Sequence, residues 1–196
     1  HIITSQIEHL AILNSCNELE ELGYEVTYLP VDEYGFVHPQ DLRNAIREDT
    51  ILVSIMMANN EIGTIEPIKE LVAIAHEHHI LFHTDAVQCF GQIPIDVEEL
   101  QVDLLSASAH KIYGPKGAGC LFIRNSVKIH SLLSGGSQER NRRAGTENIA
   151  AIVGFGKAAE IAKKTMQERM NQEQTLRGYF ISHVLGEIAQ TSLNGA

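Results

Sequence analysis

Thr50-Ile-Leu-Val-Ser-Ile-Met-Met-Ala58 is a continuous apolar run, rich in β-branched residues and free of alternation. A strand of this kind is buried on both faces, the setting of a parallel sheet covered by helices. It ends in a polar loop, Asn59-Asn60-Glu61-Ile62-Gly63. From Pro67 the period becomes helical, with Ile68, Leu71, Val72, Ile74 and Ala75 on one stripe. Ile80-Leu-Phe-His-Thr-Asp85 is then the next strand. Upstream, Ile2-Ile3 is strand-like, and Ser5-Gln-Ile-Glu8 has the form of a capping box opening a helix to about Leu22. Tyr24 to Val31 alternates like a strand, and Pro39 opens a short helix ending near Arg47. Strands alternating with helices predict an α/β fold with a mostly parallel sheet.

In such sheets ligands gather at the carboxyl ends of the strands. Asn60, the stretch Asp85 to Gln88 and the stretch Ser106 to Lys111 all fall where strands are expected to end. In Ser106-Ala-Ser-Ala-His-Lys111-Ile-Tyr-Gly-Pro-Lys116-Gly-Ala-Gly119, an apolar strand gives way to a lysine and a glycine-rich turn. An amine placed there in a desolvated, partly cationic site is suited to Schiff-base chemistry; a surface loop lysine is the plainer alternative. Asp85 reads as a turn cap or as a paired charge, Gln88 as a polar surface residue, and His9 as a solvated or capping histidine.

Gly117 to Arg124 is expected to return as an antiparallel strand, followed by the glycine- and arginine-rich loop from Gly135 to Thr146. Gly135, Gly136, Gly145 and Thr146 at a helix start, with Arg140, Arg142 and Arg143, suit an anion or a salt-bridged surface turn. From Glu147 the pattern predicts a long helix with a break near Thr165 or Gly178.

Composition narrows the function classes. The 196 residues are 44% hydrophobic and 20% charged, with a formal charge of −10. The acidic balance argues against nucleic acid, and no apolar run nears the roughly 20 residues of a membrane span. Cys16, Cys89 and Cys120 lack zinc or CxxC spacing and suit a reducing, cytoplasmic compartment. His76-Glu77-His78-His79 fails the HExxH pattern because Ile80 stands four beyond His76, so it reads as a solvated helix end rather than a metal site.

The runs HTDAVQ (83 to 88), SASAHKIYGPKGAG (106 to 119) and GGSQERNRRAGTEN (135 to 148) resemble cysteine desulfurases of the NifS/IscS type. These belong to the class V aminotransferase group of enzymes that use pyridoxal 5'-phosphate (PLP). The opening HIITSQIEH and VSIMMANNEIG (53 to 63) extend the resemblance over nearly the whole chain. It implies the type I fold of PLP-dependent transferases, a three-layer sandwich, with residues 1–150 as an incomplete large domain. Residues 151–196 would be a connecting helix leading to a truncated small domain.

The resemblance further implies that Lys111 carries PLP and moves the substrate α-proton. Asp85 would pair with the ring nitrogen, Gln88 with the phenolic oxygen, and His9 would stack on the ring. Ser108 and His110 would bind the phosphate, Asn60 would lie near cofactor and substrate, and Thr146 would reach the partner subunit's phosphate in a homodimer. The implied reaction turns L-cysteine into L-alanine, with the sulfur passed as a persulfide to an acceptor or iron–sulfur scaffold protein. Ser137 and Asn141 stand where the family usually has glycine. The family's catalytic cysteine loop and substrate-carboxylate arginine fall beyond residue 196 and its Thr-containing phosphate loop before residue 1, so these residues alone are expected not to desulfurate cysteine. A selenocysteine lyase or another class V PLP enzyme is the nearest rival, and a non-catalytic dimerisation scaffold is the alternative from another class.

Overall fold

The computed structural model describes residues 1–195; residue 196, the last of the segment assigned to the connecting helix and small domain, lies outside them. Six strands form one sheet: β1 (Ile2–Ser5), β2 (Val26–Leu29), β3 (Leu52–Ser54), β4 (Leu81–Asp85), β5 (Leu104–Ser108) and β6 (Gly119–Ile123). Their order is β2-β1-β3-β4-β5-β6, parallel throughout except for the antiparallel pairing of β5 with β6. The expected return strand is therefore present. The helices are α1 (Leu10–Glu21), α2 (Pro39–Ala45), α3 (Ile68–Glu77), α4 (Val97–Leu100), a four-residue turn α5 (Gln138–Asn141) and α6 (Ile149–Glu187).

The apolar run from Thr50 is buried from Val53 onward, with Val53, Ile55, Met56 and Met57 almost inaccessible, whereas Ile51 is exposed and Leu52 half-buried. Only Leu52–Ser54 pair as strand. Beyond Ser54 the segment stays extended and bonds to the neighbouring strand end, Ile55 N–H donating to His83 O at 3.1 Å and Met57 N–H to Asp85 O at 2.9 Å. The core between sheet and helices gathers Ile3, Phe82, Val102 and Leu105 with Leu71, Val72 and Ile74 of α3. Burying each such side chain contributes roughly 1.5–3 kcal/mol before the entropy of ordering is counted.

Two helix expectations change. Ser5 is still in β1, so it does not open α1; its hydroxyl donates to the Glu8 carboxylate at 2.7 Å, and His9 is the N-cap, its Nδ1 accepting from Ala11 N–H at 3.1 Å. α6 runs unbroken through Thr165 and Gly178. The Thr165 hydroxyl bonds back to Ile161 O at 3.1 Å, within the helix, and an exposed glycine in a helix costs only about 1 kcal/mol. The four-residue α4, capped by Asp96 Oδ1 accepting from Glu98 and Glu99 N–H, carries no strong periodic signal.

His76 is not merely solvated, since its Nε2 lies 2.9 Å from Asp103 Oδ2, which also accepts from Phe82 N–H at 2.8 Å. The turn around Glu139, Arg140 and Asn141 has φ of 49°, 57° and 63°. Asn141 occupies a left-handed conformation that asparagine tolerates well, and Ser137, at φ −89°, needs no glycine. Both departures from the family pattern are thereby accommodated.

Glu66 is buried at the start of the α3 segment, with one oxygen accepting from Val37 N–H at 2.9 Å and the other without a partner. Burial pushes its carboxyl up to about 7, with Asp32 adding to the effect. The folded state thus holds a proton that the unfolded chain releases near pH 4.5. Its contribution is fully present below that value and lost as pH rises through about 7, in total at most about 3 kcal/mol. The stability difference between wild type and Glu66→Gln, from urea unfolding, should move against the wild type between pH 4.5 and 7.5; a pH-independent difference would contradict this.

Candidate functional site

The sheet's order reverses between β1 and β3, the switch point of the topology. Along the same edge the parallel register sets Asp85 beside Ser106. The chain beyond Ser106 completes β5 at Ser108 and makes one 3-10 turn, Ala109–Ile112, that carries His110 and Lys111. The expected acid, hydroxyl, imidazole and amine thus share two neighbouring strand ends.

Each is held by local chemistry. Asp85 Oδ1 accepts from Val87 N–H at 2.8 Å, capping the turn in which Cys89 and Phe90 N–H bond Ala86 O. Both readings of Asp85 meet here: one oxygen caps, and Oδ2 makes no hydrogen bond among the described residues. Gln88 lies in the same turn, partly exposed. Ser108 Oγ and His110 Nδ1 are 2.7 Å apart. Tyr113, just past Lys111, sits at φ 63° and is 88% exposed, a left-handed conformation unusual for an aromatic residue. Gly114 follows where an added Cβ would meet Ala109 O at 2.9 Å.

Lys111 is exposed, and its Nζ makes no hydrogen bond or ion pair among the described residues. The desolvated pocket expected around the amine is not supplied by these residues. Its backbone is tethered: Lys111 O accepts from Gln92 Nε2 at 3.2 Å, and Gln92 Oε1 accepts from Arg169 Nη1 at 2.9 Å. Arg169 also donates to Gly91 O, so α6 is pinned to the loop that supports the lysine. Gly91 has φ 72°, and a Cβ there would meet Ile112 at 2.8 Å.

His9 caps α1 at the switch point, and Asn60 is exposed in the loop after β3. Its neighbour Asn59 is buried, its Nδ2 donating to Ile7 O and its Oδ1 accepting from Glu61 and Ile62 N–H. Thr146 is not brought to the other site residues. It lines a separate groove of about 710 Å³ between β6 and the start of α6, with Arg140, Arg142, Arg143 and Phe155, and none of Asp85, Gln88, Ser108, His110 or Lys111 lines it.

Behind the strand ends, His83 spans the sheet, with Nδ1 2.8 Å from Ser54 Oγ and Nε2 2.8 Å from Ser106 Oγ. Burial holds its pKa down, opposed by Asp85. Two hydroxyls therefore fix a neutral ring beside the strand that ends in Asp85. Burial pushes the Cys89 thiol up to about 12 and raises Cys16 and the exposed Cys120, so all three are poor thiolates at neutral pH. Sequence reasoning gave Glu8 only a local capping role and missed His83, Gln92 and Arg169; of these three only His83, a histidine inside a largely apolar strand, left a signal.

The donor set fits PLP. A carboxylate oxygen is open for a pyridinium nitrogen, an unpaired amine is available for the aldehyde, and a hydroxyl and an imidazole stand together where a phosphate is expected.

These groups stand at adjoining strand ends of a mostly parallel α/β sheet. The sequence matches the family model described as Aminotransferase class-V over residues 1–196, and the chain belongs to that family. It is 61% identical over 195 residues to a protein named Cysteine desulfurase IscS from Dictyoglomus turgidum, matching all of this chain and 50% of that protein. The structure titled NifS-like protein matches with a TM-score of 0.91 and 44% identity, over 94% of this chain and 51% of the other. One titled SspA in complex with cysteine matches with a TM-score of 0.80 and 43% identity, over 88% of this chain and 52% of the other. The chain spans about half the length of the relatives it matches.

Replacing Arg169 with Leu removes the charge-assisted bonds to Gly91 and Gln92. The expected cost is about 1–3 kcal/mol in urea unfolding, with faster amide exchange at Gln92 and Lys111. Unchanged stability and exchange would show the tether to be ornamental.

Proposed function

We propose that this chain is the cofactor-binding part of a PLP-dependent cysteine desulfurase, which converts L-cysteine to L-alanine and passes the sulfur on as a persulfide. The observation that carries this reading is the meeting of Asp85, the Ser108–His110 pair and Lys111 at the ends of β4 and β5. Identity to cysteine desulfurases over the full chain supports the substrate. When bound, PLP supplies an electron sink for the substrate α-carbon.

The chain's own residues then have distinct tasks. The Lys111 amine would hold the cofactor and could take and return the substrate α-proton. Asp85 Oδ2 holds the proton on the ring nitrogen, while Val87 N–H keeps Oδ1 in place. Gln88 donates to the phenolic oxygen, and Ser108 and His110 donate to the phosphate. His9, whose Nδ1 is engaged by the helix cap, would stack on the ring, and Asn60 would lie near cofactor and substrate. The raised thiol pKa values support a sulfur-accepting cysteine other than Cys16, Cys89 or Cys120.

Thr146 serves the partner's site in a homodimer. Its place in a groove apart from the other residues supports sharing of sites between subunits. Residues 1–150 form the PLP-binding unit, with 151–196 leading to a small domain; the exposed Leu176, Tyr179 and Phe180 on the outer half of α6 support a further partner there. An iron–sulfur scaffold or another acceptor takes the sulfur. The free cysteines support a cytoplasmic setting, and no helix among the described residues is long and apolar enough to cross a membrane.

Titration of the protein with PLP should yield a visible absorbance band distinct from that of free PLP, lost in Lys111→Ala and weakened in Asp85→Ala. A wild type that develops no band would favour the non-catalytic scaffold.

A further inference from the structure

Glu8 is 5% exposed at the switch point, between the end of β1 and the first turn of α1. Its Oε1 accepts two hydrogen bonds, from Ser5 Oγ at 2.7 Å and from Met56 N–H at 2.7 Å. Its Oε2 is buried without a partner. Met56 belongs to the extended segment after β3, whose next residue donates from Met57 N–H to Asp85 O at 2.9 Å. The same segment is tied back by Asn59 Nδ2 to Ile7 O at 2.9 Å. One carboxyl therefore ties the turn after β1, just before His9, to the segment that leads to Asn60, and the next residue of that segment is bonded to the strand end at Asp85.

We propose that Glu8 is the positioning residue of this site, a protonated carboxyl that locks β1 to the segment after β3 and thereby holds His9 and Asn60 in place relative to Asp85. Oε1 can accept from both donors in either state, so the unpartnered Oε2 decides: the neutral form leaves it a buried hydroxyl without an acceptor, the ionised form part of a buried charge without a donor, and the buried charge costs more. The groups around it reinforce this. Asp85 of β4 and Glu66, ahead of α3, repel a negative charge at Glu8, and on α1 Cys16 faces the same carboxyl. The adjacent imidazole, His9, is turned to the cap of α1. Burial, with Asp85 and Glu66 adding to it against the two hydrogen bonds, pushes the carboxyl up to about 7. The lock is therefore closed below neutral pH. It weakens as pH rises through that value, when the buried anion must draw in water or move outward.

The effect on cofactor rests on the function proposed above, whereas the state of the carboxyl does not, so two measurements separate them. In the first, without PLP, glutamate side chains labelled with 13C are titrated by NMR in the wild type. Glu8→Gln and Glu66→Gln assign the two carboxyls expected to titrate high. Glu8 should titrate near 7, and the Met56 amide resonance should move with the same midpoint. In the second, PLP dissociation constants are measured from pH 6 to 8.5. The ratio of wild-type to Glu8→Gln dissociation constants should rise with pH above the midpoint, by at most about tenfold per pH unit, since the substituted amide cannot ionise.

Should Glu8→Gln not fold, the wild-type titration and Ser5→Ala, which removes one donor to the same oxygen and should raise the midpoint further, carry the test. A Glu8 carboxyl already ionised near pH 5, a Met56 amide that ignores it, or an affinity ratio flat with pH would each overturn the proposal. Failure of the wild type to bind PLP at all would strike the function reading and leave the NMR arm standing.

Discussion

Parallel pairing is the constraint on which the rest depends. Once β1, β3, β4 and β5 run the same way, their carboxyl ends share one edge, and each chain segment that leaves the sheet must turn there. Turning segments need caps, and caps need polar side chains. Asp85 caps the turn after β4, His9 caps α1, and Asn59 Oδ1 caps the loop after β3. Asp85 and His9 each commit one atom to the backbone there and keep another, Oδ2 and Nε2, for the proposed chemistry, whereas Asn59 spends both polar atoms on the backbone.

The sheet face behind that edge is unusually polar for a core. Thr4 Oγ1 donates to Ser54 O at 2.8 Å, and Ser54 and Ser106 flank the His83 ring, all close to fully paired. Paired polar groups in a buried setting fix register more strictly than apolar packing, because a slip would leave each of them unsatisfied. His83 and Glu66 also pull stability in opposite directions with pH. A neutral buried imidazole loses its contribution as pH falls through the ordinary histidine range, and a neutral buried carboxyl loses its own as pH rises towards 7.

The strand and helix rhythm was legible because apolar runs and helical stripes report burial directly, as from Thr50 to Ala58 and from Ile68 to Ala75. Asp85, Ser108 and Lys111 were legible too, as polar residues where apolar strands stop. The start of α1 was not. The Ser5 to Glu8 spacing is that of a capping box, yet Glu8 satisfies the amide of Met56, 48 residues away, a partner no local pattern reveals. Arg169 and Gln92 were hidden for the same reason, their contact spanning 77 residues. The continuity of α6 escaped because Thr165 and Gly178 disfavour a helix only weakly against the packing of Phe155, Ala158 and Ala162 on the core.

In the proposed function Lys111, and no other lysine of this chain, is the attachment point for PLP. Loading the protein with PLP, reducing it with borohydride and mapping the pyridoxyl group by peptide mass spectrometry tests that directly. Modification is expected at Lys111, in the tryptic peptide that runs from Glu70 through the uncleaved Lys111 to Lys116. Label spread over Lys116, Lys157 and Lys164, with none at Lys111, would contradict it.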